Sequence, residues 1–171
     1  MYDLNLALDA FSKVLRHHPN ALLILTGSPK FLKLRSSNIL PMGFLPKEEY
    51  GRVLGACDLC LLPLSDHLAN RARFPGKFGD YMAAGRPVVS NDVGDVGRLI
   101  REHNVGVVTK PTPDDYAQGI VDALKQPGSL SVWGSNARKL AEGNLSFDIL
   151  SQDLAHIYTL LAESSARHPC L

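Results

Sequence analysis

Phe74-Pro75-Gly76-Lys77-Phe78-Gly79-Asp80 gathers the residue types in this chain best suited to chemistry. An apolar run, Leu59 to Leu64, leads into a polar, irregular stretch of twelve residues, Ser65 to Gly76. Loops that long in a compact domain are commonly functional. A short helix is expected from Lys77 to Ala84, stopped by Gly85 and Pro87. Its first amides, near Gly76 to Gly79, lack partners within the helix, and the positive helix end favours an anion such as a phosphate. Gly76 lets backbone approach closely, Lys77 adds a formal charge, and Phe78 contributes its amide to the same set. Asp80 lies three residues beyond Lys77, one turn deeper on the same face. A carboxylate there can accept two hydrogen bonds from a ribose diol, the arrangement expected of a nucleotide site at the carboxyl ends of a sheet. Arg73, in the loop, is a further phosphate candidate.

Other reactive types carry less. Cys57-x-x-Cys60 has redox spacing, but a redox pair should open a helix and Cys60 falls in a strand. Two thiols without a second ligand pair do not make a zinc site. His17-His18 and His103 stand at helix ends, where a cation is favourable. His67 lies in the long loop, facing solvent or a substrate. Asp92 and Asp95 follow a strand end, as cleft residues or turn formers. Trp133 reads as packed core. No carboxylate pair is arranged to hold a metal, so none is expected.

The elements that must position this segment alternate between helix and strand, which argues for an α/β fold with a largely parallel, doubly wound sheet. Leu4, Leu8, Phe11 and Leu15 form the apolar stripe of a first helix. Strands are expected at Ala21 to Thr26, Ile39 to Phe44, Leu59 to Leu64, Pro87 to Asn91 and Gly106 to Lys110. Pro41 weakens the second of these. Pro46 opens a helix that buries Tyr50, Val53, Leu54 and Cys57. Further helices are expected near Val96 to His103, after an Asp114 cap, and over Leu130 to Gly143 and Phe147 to Glu163. The segmentation gives one domain, residues 4–163, and a frayed tail, 164–171.

The 171 residues suffice for a single core, with 45% apolar and 20% charged. A formal net charge of +1 without charge blocks excludes a nucleic-acid partner on electrostatic grounds. No apolar run approaches the roughly 20 residues needed to span a bilayer, and no signal-like segment opens the sequence. Three cysteines, two of them only three positions apart, are not a disulfide framework, so a reducing, cytoplasmic compartment is expected.

The segment Pro75-Gly76-Lys77-Phe78-Gly79-Asp80-Tyr81-Met82-Ala83-Ala84-Gly85-Arg86-Pro87-Val88 resembles the signature of the retaining family 4 glycosyltransferases of the GT-B fold. Leu23-Ile24-Leu25-Thr26-Gly27, Met42-Gly43-Phe44, Ala56-Cys57-Asp58 and Ser135-Asn136-Ala137-Arg138 fit in order and spacing. The resemblance implies a Rossmann-like C-terminal half of a GT-B enzyme, with its first strand apparently missing and its N-terminal acceptor domain absent. It implies a nucleotide diphosphate sugar as donor and no cofactor. Gly76, Lys77, Phe78 and Arg73 would take the diphosphate, Asp80 the ribose, and Gly27, Gly43, Phe44 and Leu45 would rim the base pocket. Any peripheral membrane contact would come through the absent half. Asp80 stands where the family has glutamate, and Ala72 where it often has another glutamate that contacts the sugar. The family's Gly-Arg and lysine diphosphate anchors would precede Met1. The implied enzyme is a transferase whose isolated half is inactive. The rivals are a non-catalytic nucleotide-binding or regulatory module, a nucleotide-sugar epimerase of similar fold, and a structural domain.

Overall fold

The computed structural model describes residues 2–27 and 36–167, with side chains through residue 163. The elements run α1 (Leu4–Val14), β1 (Leu23–Thr26), β2 (Ile39–Gly43), α2 (Lys47–Ala56), β3 (Cys60–Leu62), α3 (Leu68–Ala72), α4 (Gly76–Ala83), β4 (Val88–Asn91), α5 (Asp95–His103), β5 (Gly106–Thr109), α6 (Pro113–Leu124), α7 (Pro127–Glu142) and α8 (Phe147–Arg167).

All strand pairs are parallel, as the alternating pattern requires. They form two separate sheets, β1-β2 and β3-β4-β5. Among the described residues no strand joins β1 to β3, so both present an unpaired edge. The five expected strands are there, and a gap lies between β1 and β3. A cavity of about 940 Å³ occupies it, lined by Leu23 to Thr26 on one side and Leu59 to Leu61 on the other. Pro41 sits in β2, an edge strand where a missing N–H is tolerated, and the ladder shifts register beside it at Leu25/Thr26.

The three-stranded sheet is covered on both faces, and β4 shows how. Val88 packs with Leu62, Phe78, Met82 and Ile100 on one face. Val89 packs with Phe11, Val14, Tyr116 and Ile120 on the other. Side chains alternate between faces along a strand, so an unbroken apolar run is what a doubly wound sheet needs. Tyr116, fully buried, donates its hydroxyl to the Val89 carbonyl at 2.8 Å, which removes the cost of burying that oxygen.

Several local expectations change. The stretch after β3 is not wholly irregular, because it contains α3. His67 Nδ1 accepts from the Ala69 amide at 3.2 Å, and the Asp66–Arg71 pair braces the turn. His67 is thus a helix cap. Thr112, rather than Asp114, caps α6, accepting from the Asp115 amide at 3.2 Å, with Pro113 opening the helix. Asp114 instead pairs with Lys13 and ties α6 to α1. Trp133 is only half-buried, and its indole N–H donates to Asn104 Oδ1 at 3.0 Å. Of the four inward positions expected on α2, only Leu54 is fully buried, because the face of α2 looks into the open space between the sheets. Helix α8 continues to Arg167, past the expected boundary at Glu163, and residues 168–171 of the expected tail lie outside the described residues. Its apolar stripe, Phe147, Leu150, Leu154, Ile157 and Leu161, is exposed throughout. No described helix is long and apolar enough to cross a membrane.

Candidate functional site

The site is built where β3 ends. Its carboxyl end is pinned from below by side chains of β4. Asn91 is fully buried and mimics a ladder partner, accepting from the Leu64 amide at 2.8 Å and donating to the Leu64 carbonyl at 2.5 Å. Ser90 donates to the Leu62 carbonyl at 2.7 Å. These bonds aim the chain into the loop that carries α3 and then α4. Asn91 escaped sequence reasoning; the signal was a polar pair, Ser90-Asn91, closing a strand that begins with two valines.

Helix α4 begins at Gly76 after the buried Pro75, and no side chain caps its N-terminus. Gly76 is exposed and a Cβ there would meet nothing within 4 Å. The approach to the first amides is therefore open, which leaves a helix N-terminus free to meet an anion. Lys77 is half-buried, with Nζ 5.3 Å from the centroid of the Tyr50 ring. Asp80 is exposed and accepts a long hydrogen bond of 3.3 Å from the Tyr50 hydroxyl. Lys77 and Asp80 thus both contact Tyr50 of α2. Burial, and then the negative charge of Asp80, push the Tyr50 phenol well above its ordinary value, so it stays a protonated donor at neutral pH. Sequence reasoning gave Tyr50 only a packing role. Its hydroxyl, alone among the inward side chains of α2 in being a strong hydrogen-bonding group, was the available signal.

Phe78 faces inward. Its side chain is fully buried against Phe74, edge to face with centroids 5.8 Å apart, and its amide already donates to the Pro75 carbonyl at 2.9 Å. It supplies neither side chain nor free amide to the cleft. It anchors α4, because an aromatic ring at that turn has the core directly beneath it. Arg73 is exposed, donates from Nε to Asn70 Oδ1 at 2.9 Å, and lies over the Tyr2 ring at 5.2 Å.

The base-pocket candidates stand at the carboxyl end of the other sheet. The Gly27 amide donates to the Gly43 carbonyl at 2.7 Å, and both glycines have positive φ, 103° and 67°, which suits them to turning the chain there. Phe44 is 84% exposed and Leu45 half-buried. Thr26, Tyr50, Lys77 and Tyr2 line the cavity between the sheets. Gly27, Gly43, Phe44, Leu45 and Asp80 lie outside its lining; Gly27 follows the lining residue Thr26, and Asp80 meets the lining residue Tyr50.

The two cysteines in this region are free thiols. Burial pushes the Cys60 thiol up to about 12, with the neighbouring Cys57 adding to the shift. Burial raises Cys57 as well. Neither carries a thiolate at neutral pH, so both are inert packing residues. Asp92 pairs with Arg101 and Asp95 with Arg98, which places both on the surface beside α5.

The family model for glycosyl transferases group 1 matches residues 2–126. Among curated protein sequences none matches. The fold is similar to sucrose-phosphate synthase from Thermosynechococcus elongatus, with a TM-score of 0.74 at 17% identity over 95% of this chain and 44% of that one. It is similar to Anabaena HepE, solved in complex with UDP-glucose, with a TM-score of 0.74 at 19% identity over 91% of this chain and 44% of that one. It is also similar to WaaG, a glycosyltransferase involved in lipopolysaccharide biosynthesis, with a TM-score of 0.64 at 23% identity over 82% of this chain and 39% of that one. The chain thus spans well under half the length of these structures. An α/β, Rossmann-like architecture of the GT-B type and a family match over most of its length lead to one conclusion: the chain belongs to the glycosyl transferases group 1 family.

Proposed function

We propose that this chain binds the donor for a retaining glycosyltransferase, which moves a sugar from a nucleotide diphosphate sugar to an acceptor held by another domain. The observation that carries the reading is the bare N-terminus of α4 with Lys77 in its first turn and Asp80 one turn on. The diphosphate sits at Gly76 and Lys77, assisted by Arg73, and the ribose hydroxyls at Asp80. Backbone around Gly27, Gly43, Phe44 and Leu45 holds the base. As the glycosidic bond breaks, charge builds on the leaving diphosphate, and the fixed amides and ammonium there stabilise it more than they stabilise the bound donor. The chemistry requires no cofactor or metal on this reading. HepE bound to UDP-glucose and a pneumococcal O-GlcNAc transferase bound to UDP and GlcNAc support a nucleotide-sugar donor.

The 171-residue chain by itself transfers no sugar on this proposal, because the proposal places the acceptor on another domain and the isolated chain loses that proximity. The runner-up is a nucleotide-binding module without catalysis. Ala72 favours it, since it leaves an exposed methyl group at the end of α3.

Calorimetry with a panel of nucleoside diphosphates tests the site. Asp80→Ala is expected to weaken the best binder by about 1.5–3 kcal/mol, or roughly 10- to 150-fold, the usual loss for a hydrogen bond to a charged group. Unchanged affinity would remove Asp80 from the site. Acceptor-dependent release of nucleoside diphosphate by this chain, lost in Lys77→Ala, would show a complete enzyme instead of a part.

A further inference from the structure

Oppositely charged residues three or four apart on a helix are neighbours and can pair. Elsewhere among the described residues some do, while others, such as Glu48 and Arg52 on α2 or Asp9 and Lys13 on α1, do not. Arg98 pairs with Asp95 at 3.3 Å and with Glu102 at 2.7 Å, and Arg138 pairs with Glu142 at 2.7 Å. Lys77 and Asp80 have the i,i+3 relation on α4 and no ion pair joins them; here both side chains meet a third group instead. The Tyr50 side chain, reaching across from α2, contacts both. The ammonium lies over the ring face, 5.3 Å from its centroid, and the carboxylate meets the hydroxyl at 3.3 Å.

We propose that Tyr50 is a positioning residue: in contact with both Lys77 and Asp80, it keeps the two from neutralising each other and so holds the cation ready for a diphosphate and the carboxylate ready for a diol. The inference rests on the donor-binding reading of α4 and assigns a device to it. An aromatic ring suits the task. Its face attracts a cation without donating a counter-charge, so Lys77 keeps its full charge for an incoming anion. Its hydroxyl satisfies one carboxylate oxygen and leaves the other free, since a phenol donates only one proton. A carboxylate in the same place would fix Lys77 at the cost of cancelling it. An aliphatic residue would separate the charges but hold neither. The rival explanation is residue order, because lysine N-terminal to the acid is the weaker arrangement of such a pair.

The experiment separates these. Inorganic pyrophosphate is titrated at low salt into the 171-residue chain and into Tyr50→Ala, Tyr50→Phe, Asp80→Ala and the double variant Tyr50→Ala/Asp80→Ala. Tyr50→Ala is expected to bind about two- to fivefold more weakly, the range of an exposed ion pair competing for Lys77. Tyr50→Phe keeps the ring and is expected to retain affinity. With Asp80 already removed, adding Tyr50→Ala should change nothing, because no carboxylate remains to capture the ammonium. Equal weakening with and without Asp80 would mean that Tyr50 merely supports the helix, and would overturn the proposal. Side-chain 15N NMR of Lys77 provides a readout that needs no ligand. The Lys77–Asp80 pair should form in Tyr50→Ala and be absent from the unsubstituted chain and from Tyr50→Phe. Should Tyr50→Ala fail to fold, Tyr50→Val removes the ring while keeping a branched side chain. If the unsubstituted chain takes up no pyrophosphate, the donor reading fails while the NMR still decides the role of Tyr50; if no pair forms in the ring-less variant, that role is wrong whatever the site binds.

Discussion

Gly106→Ala is expected to destabilise the chain by at least about 3 kcal/mol and to lower its urea midpoint by roughly 1.5 M. Gly106 opens β5 directly opposite Val88 of β4. A Cβ at this position would lie 1.9 Å from the Val88 carbonyl oxygen and 2.8 Å from two further backbone atoms of the same residue. Those atoms belong to the central strand of the sheet, so they cannot yield as the end of a flexible side chain can. The connection upstream is equally tight. Asn104 ends α5 in the left-handed region at φ 50°, the Val105 amide bonds back to Ile100, and the chain enters β5 at once. Only a residue without a side chain lets β5 approach this closely. Gly51→Ala supplies the control. It lies in α2 with nothing within 4 Å of an added Cβ, so the same substitution there should stabilise by about 0.5–1 kcal/mol. If the two variants unfold at the same urea concentration, the steric argument about β4 and β5 is wrong.

Phe78→Ala should cost about 3–5 kcal/mol, enough to lower the melting temperature by about 6–20 °C in a domain of this size. Phe78 is fully buried beneath a helix of eight residues, against Leu62, Met82 and Val88. A helix so short owes its stability to packing more than to its own hydrogen bonds. The result also separates two views of the residue. A donor contact would lose affinity while keeping its melting point. An anchor loses its melting point first, and Phe78→Leu, which refills most of the space, should restore much of it. Phe74, at 46% exposed, is the comparison within the same aromatic pair, and Phe74→Ala should cost distinctly less. Melting curves for the three variants that fall together would show that Phe78 does not anchor α4.

Much of this was legible along the chain. Gly85 and Pro87 stop α4 and Gly27 ends β1 because glycine and proline impose their backbone restrictions whatever surrounds them. Unbroken apolar runs such as Val88-Val89 marked strands covered on both faces. The uncapped start of α4 at Gly76 and Lys77 also follows from local order, since a helix start has free amides in any context. These features depend on residues within a few positions of one another, and a sequence displays such neighbours directly.

What the tertiary structure alone decided concerns residues far apart in the chain. Phe78 and Lys77 are adjacent in sequence, yet one is sealed in the core and the other lines a cavity. Their exposure depends on where α4 lies on the sheet, and no local preference sets that. Tyr50 meets Asp80 across thirty residues, and Asn91 clamps Leu64 across twenty-seven. Periodicity marks a face as inward but does not say what stands opposite it. The inward face of α2 met an open cavity, and the stripe of α8 met solvent. Backbone preference and polarity are properties of a residue and its immediate neighbours. Burial, pairing and the spacing of charges are properties of the space that distant segments fill together, and they are settled only when the chain packs.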